Sequence, residues 1–88
     1  MITVNSTLGR FELVEEGKLA FADYRRQGDV LVIPHVEADP ALRGHGTAGR
    51  LMEGVLEYAR GEGLKITPVC GYAAAYIRHH PECRDLLA

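Results

Sequence analysis

The sequence contains little cysteine, with only Cys70 and Cys83 among its 88 residues. Two cysteines are too few for a disulfide framework, and their separation lacks the close spacing of a zinc knuckle. We therefore expect two free thiols. His79 and His80 lie near Cys83, but no further ligands occur at suitable spacing, so the sequence predicts no metal site.

Long apolar runs and an excess of basic residues are also missing. No stretch approaches the roughly 20 apolar residues that a membrane-spanning helix needs, and residues 1–14 do not resemble a secretory signal peptide. The formal net charge of -2 gives no general attraction to nucleic acid or anionic lipid. These absences predict a cytoplasmic protein with no membrane or nucleic-acid partner, in which any anion site must be local.

The remaining composition is that of an ordinary globular protein, 47% hydrophobic and 25% charged. A chain of 88 residues can enclose one compact core, so we expect a single domain over residues 1–88. Neither repeats nor linkers interrupt it.

The first half of the sequence predicts β-strands joined by turns. The apolar run at 30–33 is typical of a central strand covered on both faces. Pro34 follows it, and because proline cannot donate to a sheet ladder, this position suits an edge, a bulge or a simple irregularity. The predicted strands are 2–4, 10–14, 18–24 and 30–33, with glycine-containing turns at 15–17 and 26–29.

The second half predicts a helix, a strand and further helices. A helical period begins at Ala48, and Gly61 and Gly63 mark the end of this helix. A strand at 64–70 and a helix at 72–79 follow, and Pro81 opens a last short helix. The apolar stripe of the long helix is Ala48, Leu51, Met52, Val55, Leu56 and Ala59. A β-α-β crossover makes its two strands parallel, so the fold class is mixed α+β.

The turn before the long helix, residues 43–48, carries the clearest chemical signal. The first N–H groups of a helix lack internal partners, and the helix dipole adds partial positive charge, so a helix start suits phosphate. Gly44 and Gly46 let a ligand approach the backbone, and Arg43 adds a fixed charge. The alternative is that the glycines only shape a tight connection.

Several motifs together resemble the GNAT acetyltransferase superfamily, in particular a minimal single-domain N-acetyltransferase family of about this length. Arg43-x-x-Gly46-x-Ala48 fits the Gln/Arg-x-x-Gly-x-Gly/Ala signature and occurs at the same place in the fold. The further matching segments are Ile33-x-His35, Pro40-x-Leu42-Arg43-Gly44-x-Gly46, 57–60, 68–70 and Tyr76-Ile77-Arg78-x-His80-Pro81. One position departs, because the family usually has threonine where Val36 stands.

The resemblance implies a truncated GNAT-like fold that binds acetyl-CoA. The pyrophosphate would rest on the backbone amides of Gly44, Gly46, Thr47 and Ala48, with Arg43 beside it. The fourth and fifth strands would splay apart, and the pantetheine arm would lie in the gap.

Two further side chains near this turn could contact the coenzyme. His45 lies within the turn, where contact with phosphate and plain solvent exposure are the alternatives. Arg50 could reach the outer phosphates from the first helical turns, or could be an ordinary solvated charge. A backbone N–H around Val36 could polarise the acetyl carbonyl.

Acetyl transfer to an amine needs a base and a proton for the departing thiolate, and four side chains are candidates. His35 and Glu37 could share one face of a strand as the base, or both could be exposed strand-end residues. Cys70 could approach His35 as a proton donor or acetyl acceptor, or could be an inert core residue. Tyr76 could protonate the coenzyme sulfur, or could pack on the core.

The predicted function is therefore transfer of an acetyl group from acetyl-CoA to an amine of a small molecule or protein. The alternative is a non-catalytic module that binds or senses acyl-CoA. Larger GNAT enzymes have further strands that help to build the acceptor pocket. Here either the acceptor side is open and shallow, or a partner, such as the second copy in a homodimer, completes it.

Overall fold

The computed structural model describes residues 2–88 as one five-stranded sheet with packed helices. In chain order the elements are β1 (Thr3–Asn5), β2 (Arg10–Glu15), β3 (Lys18–Gln27), β4 (Val30–Ala38), a 3-10 helix (Pro40–Leu42), α1 (Thr47–Glu62), β5 (Lys65–Pro68), α2 (Gly71–Arg78) and a second 3-10 helix (Pro81–Leu86). The strands lie side by side in chain order, antiparallel from β1 to β4, with β5 parallel to β4. This arrangement confirms the predicted mixed α+β fold and its crossover through α1.

Some predicted boundaries were wrong. Strand β4 does not end at Ile33 but continues through Pro34 to Ala38, because an irregularity in its pairing with β3 accommodates the proline. Strand β5 ends at Pro68 rather than Cys70. The first strand and α2 are each displaced by one residue, and β3 extends three residues beyond its predicted end at Tyr24.

The β2–β3 hairpin has a two-residue turn. Glu15 pairs with Lys18, and both turn residues, Glu16 and Gly17, are left-handed with φ of 52° and 72°. Such a turn matches the twist of the two strands, although a non-glycine residue rarely adopts this conformation. The tight turn fixes Glu15 at the end of β2.

The core lies between one face of the sheet and the helices, and we call this face the core face. The apolar residues of the sheet and of α1 that form this core are Phe11, Leu13, Ala20, Ala22, Leu31, Ile33, Leu51, Met52, Val55, Leu56, Ala59 and Ile66. Along β2 the alternation is clear, since Phe11 and Leu13 are buried whereas Val14 is 62% exposed. We call the opposite side of the sheet the outer face. No helix within residues 2–88 is long and apolar enough to cross a membrane.

Helix α1 follows its predicted stripe with one shift at its start. Thr47, not Ala48, begins the helix and is buried, whereas Ala48 is half-buried. At the other end Gly63 caps the helix with φ of 68°, and its N–H reaches the carbonyls of Ala59 and Arg60. Gly61 lies inside the helix, so only one of the two predicted terminal glycines needs the left-handed conformation.

Alanine at these two glycines is expected to change stability in opposite directions. Gly61→Ala should raise the free energy of unfolding by about 0.5–1 kcal/mol, because alanine is the better helix former and the site is open. Gly63→Ala should lower it by about 1 kcal/mol, because alanine is strained at positive φ. Urea unfolding measures both values, and a change of the same sign in both variants would contradict this assignment of the cap.

Candidate functional site

Strands β4 and β5 separate immediately after Ile33. The last pair in their ladder is Ile33 with Pro68. The Ile33 carbonyl then accepts hydrogen bonds from both Val69 at 3.1 Å and Cys70 at 3.0 Å, where the chain turns into α2. Strand β4 continues to Ala38, so its edge from Pro34 onward lacks a neighbouring strand within residues 2–88.

A bulge at Pro34 determines which backbone groups face that open edge. Asp23 pairs with His35 and Arg25 with Val32, so Tyr24 is opposite two residues of β4, Ile33 and Pro34. Two residues facing one constitute a β-bulge, and a proline is tolerated there because the extra residue is unpaired. Beyond the bulge, side chains and backbone groups of β4 face the opposite side from the one that a regular strand would give them.

The N–H of Val36 therefore points to the open edge. Asp39 donates to the carbonyl of Leu19 on β3 at 2.9 Å. In antiparallel pairing, residues two apart direct their backbone groups to the same neighbour, so Glu37 and His35 also face β3. The intervening Val36 faces the opposite side, where β5 has already diverged. The structure thus directs the Val36 N–H into the gap between the two strands.

The turn before α1 presents further unpaired backbone donors. Gly44 and Gly46 are left-handed, with φ of 81° and 76°. Gly46 precedes the first helical residue, and no side chain caps the helix start. Within residues 2–88 the structure gives no acceptor for the N–H groups of Gly44, Gly46, Thr47 and Ala48. These are the four amides that the sequence analysis assigned to phosphate.

A carboxylate on the β2–β3 hairpin holds the first turn of α1. Glu15 accepts a 2.7 Å hydrogen bond from the hydroxyl of Thr47, which is only 1% exposed. The Arg50 guanidinium binds the same carboxylate through Nε and Nη2, each at 2.7 Å. Arg50 Nη2 also donates to the carbonyl of His45 at 2.7 Å. Arg50 is neither a free phosphate ligand nor an ordinary solvated charge, the two roles that the sequence predicts for it, because its guanidinium is occupied by Glu15 and the turn.

The imidazole of His45 faces the hairpin rather than the helix axis. Its Nδ1 lies 3.2 Å from Oε2 of Glu16, and its backbone N–H donates to the carbonyl of Leu42. Arg43, by contrast, is exposed beside the two glycines, and the structure records no side-chain partner for it within residues 2–88. Of these two side chains, Arg43 is the one available to an anion.

His35 and Glu37 lie together on the outer face of β4. His35 Nε2 is 2.9 Å from Glu37 Oε1, and their side chains are 51% and 60% exposed. Phe21 on β3 pairs with Glu37, and its ring centroid lies 6.0 Å from that of His35. The predicted sharing of one face is therefore seen, at a position open to solvent.

Cys70 lies on the other side of the sheet. It packs against the core cluster, as does Val36, which pairs with the buried Ala22. His35 points to the outer face, and no hydrogen bond joins its imidazole to the Cys70 thiol in the described part of the chain. The bulge thus separates two side chains that the sequence analysis expected to be close.

Two tyrosines of α2 border the first turns of α1. A Cβ on Gly49 would lie 3.9 Å from the Tyr72 hydroxyl and 3.8 Å from Cε2 of Tyr76. The Tyr76 ring also stacks on His80, with centroids 3.9 Å apart. Burial raises the pKa of both tyrosines above the ordinary value of 10.0, so both carry a proton at neutral pH. Sequence reasoning missed Tyr72, for which residue type alone gave no signal.

The thiol of Cys83 belongs to a different region, in the second 3-10 helix next to α1. Burial raises the pKa of this thiol, which therefore favours the protonated form. Across residues 2–88, no three or more His, Cys, Asp or Glu side chains are grouped so that they could hold a metal ion.

Comparisons with known proteins agree with this arrangement. The sequence profile of the GCN5-related N-acetyl-transferase family matches residues 10–86. The chain therefore belongs to this family, and the resemblance found in the sequence is confirmed. No curated protein matches the chain.

A solved structure supports the same fold. It is the solution structure of a GCN5-like protein from Staphylococcus aureus that is described as a candidate N-acetyltransferase. The two chains superpose with a TM-score of 0.77 at 25% sequence identity, over 100% of this chain and 87% of the other. The short sheet with its crossover is thus a GNAT-like architecture.

The Glu15 contacts predict a specific dependence of stability on pH. The hydrogen bonds from Arg50 and Thr47 lower the pKa of Glu15 from 4.5 to about 2. A carboxylate with a lowered pKa contributes stability above its ordinary pKa and loses it as the pH falls toward the folded value. The difference in stability between the unmodified protein and Glu15→Gln should therefore be constant above pH 5 and shrink between about pH 4.5 and 2. Urea unfolding across this range tests it, and a difference that stays constant down to pH 2 would contradict it.

Proposed function

We propose that the protein binds acetyl-CoA at the gap between β4 and β5 and transfers the acetyl group to an amine. The observation that carries this proposal is the set of four unpaired amides, from Gly44 to Ala48, at the start of α1 beside the open edge of β4. Membership of the GCN5-related N-acetyl-transferase family supports the same assignment.

The turn has the donors that a pyrophosphate requires. Its amides point out of a helix start, where the helix dipole places partial positive charge. Left-handed glycines at 44 and 46 leave the backbone without side chains at the point of approach. Arg43 adds a charge that can bind phosphate through two donors.

The chemistry would occur where Val36 faces the open edge. The amine nitrogen attacks the thioester carbonyl carbon, forming a C–N bond, and the C–S bond breaks. The Val36 N–H would stabilise the oxyanion of the tetrahedral intermediate. The amine loses one proton to a base, and the coenzyme thiolate takes up one proton.

The two faces of the sheet divide these proton transfers between them. His35, supported by Glu37, is the proposed base on the outer face, so the acceptor amine would approach from that side. Tyr72 and Tyr76 are protonated on the core face and are the proposed donors to the thiolate. Cys70 lies on the same face and remains a candidate for this role, but its proposed pairing with His35 is dropped.

A second candidate function is non-catalytic binding of acyl-CoA. It is favoured by one observation, the exposure of the His35–Glu37 pair, because an exposed base gains little from its surroundings. Both functions require coenzyme binding, whereas only the enzyme releases free CoA when an amine is supplied.

Alanine at Gly44 tests the phosphate site. The residue has φ of 81° with no atom near the Cβ position, so the substitution introduces backbone strain and a methyl group facing the proposed ligand. Gly28→Ala is the matched control, since Gly28 has φ of 60° and equally open space in the β3–β4 turn. Calorimetry should show acetyl-CoA binding weakened about tenfold or more by Gly44→Ala and unchanged by Gly28→Ala, with similar losses of stability. Equal affinities in both variants would contradict the phosphate assignment.

Substitution of His35 distinguishes the two functions. If His35 is the base, His35→Gln should lower the rate constant of CoA release with an amine panel by about 100-fold or more, while acetyl-CoA affinity is kept. His79→Gln, at the exposed end of α2, is the control and should leave the rate unchanged. Coenzyme binding without CoA release in the unmodified protein would support the non-catalytic function, and an unchanged rate in His35→Gln would rule out this base.

A further inference from the structure

The tip of the β2–β3 hairpin contacts the turn that we assign to the coenzyme. We infer that Glu15 is a positioning residue for acetyl-CoA, which holds the 43–48 turn in its binding conformation through Thr47 and Arg50. This inference rests on the proposed function, because it concerns the geometry of the same phosphate site. Nothing in the family signature includes Glu15, which is 28 residues before Arg43 in the chain.

One carboxylate anchors the residues on both sides of Gly46. Through Thr47 it holds the first residue of α1, whose hydroxyl donates to Glu15 at 2.7 Å. Through Arg50 it reaches back to the carbonyl of His45, since the same guanidinium nitrogen contacts Glu15 and His45. Gly46 therefore lies between two anchored residues, His45 and Thr47.

Close packing reinforces this arrangement at Gly46. A Cβ at this position would lie 3.2 Å from Nη1 of Arg50, so the guanidinium sits directly against the turn. An arginine bound at two of its nitrogens by one carboxylate keeps a fixed plane, whereas a free arginine samples many rotamers. The hydrogen bonds to Glu15 thus hold the Arg50 guanidinium in a fixed position against the turn.

The hairpin makes a second contact through its strained residue. Glu16 is left-handed, with φ of 52°, and its carboxylate lies 3.2 Å from His45 Nδ1. The strain is consistent with a turn held in one conformation by what it touches. Two successive glutamates of the hairpin therefore contact residues in or next to the 43–48 turn.

Charge alone would argue against a carboxylate at this place. An anionic ligand is repelled by a nearby negative charge, and Glu15 would weaken phosphate binding if it acted only through its field. Arg50 offsets that charge while it supports the turn. If Glu15 positions the turn, removing its charge should weaken binding. If it acts only through its charge, the same change should strengthen binding.

The test measures acetyl-CoA affinity by calorimetry in Glu15→Gln and Glu15→Ala. Positioning predicts binding weakened about three- to tenfold, with more loss in the alanine variant, because the turn is no longer held. Tighter binding in Glu15→Gln would show that only the field matters and would overturn the inference. In steady-state assays KM for acetyl-CoA should rise while kcat is unchanged.

A double-mutant cycle between Glu15 and Arg50 provides a second test. Arg50→Gln leaves the Glu15 carboxylate uncompensated near the phosphates and should weaken binding more than the double variant Glu15→Gln/Arg50→Gln. Equal affinities in these two variants would contradict the coupling. The matched control is Glu12→Gln, which breaks another Glu–Arg contact on β2, at 2.6 Å, without touching the turn. Its affinity should equal that of the unmodified protein.

Hydrogen exchange separates this inference from the proposed function. In the protein without coenzyme, Glu15→Gln should accelerate exchange of the hydrogen-bonded amides of Arg43, His45 and Arg50 by a larger factor than exchange in β3 and β4. Uniform acceleration, or none, would overturn the positioning role. If the unmodified protein fails to bind acetyl-CoA, the proposed function falls, and with it the role toward coenzyme. The exchange comparison then decides by itself whether Glu15 holds the turn.

Discussion

The bulge at Pro34 is the constraint on which the candidate site depends. A proline in a sheet leaves one ladder position without a donor, and the extra residue of the bulge absorbs that defect. As a result the backbone groups of β4 change sides, and Val36 presents its N–H to an edge that β5 has left. The bulge at Pro34 thus explains why the Val36 N–H faces the gap, whereas the gap itself forms where β5 ends and the chain turns into α2.

The helix start and the hairpin complete the site from the other direction. Helix α1 begins on the core face with free amides, and the β2–β3 hairpin supports it through Glu15. The unpaired donors at this site come from backbone, whereas the side chains around them mostly bind one another. Backbone donors suit a small domain, because their positions require only a fixed chain path.

The sequence was sufficient to predict features that depend on local periodicity or on a single residue type. Helix α1, the parallel pairing of β4 with β5 and the cap at Gly63 all followed from such patterns. Pro34 was interpreted as an edge, a bulge or a simple irregularity, and the structure shows the bulge, but the extent of β4 beyond it was underestimated. Its continuation depends on pairing with β3, which no local pattern contains.

The side-chain arrangement of the site was harder to predict. Arg50 was read as free because its partner, Glu15, lies 35 residues earlier in the chain. His35 and Cys70 were expected to meet, yet the bulge places them on opposite faces, and a bulge changes facing without leaving a periodic signal. The place of Tyr72 in the site follows only from the packing of α2 against Gly49. Each miss involves a contact between separate elements.

The order of the strands has a consequence for how the chain folds. Because every strand pairs with its sequence neighbour, the four antiparallel strands need only short loop closures, which form quickly. The long closure is that of β5 on β4, which spans α1. The gap of the candidate site is thus bordered by the two paired strands that are farthest apart in the chain.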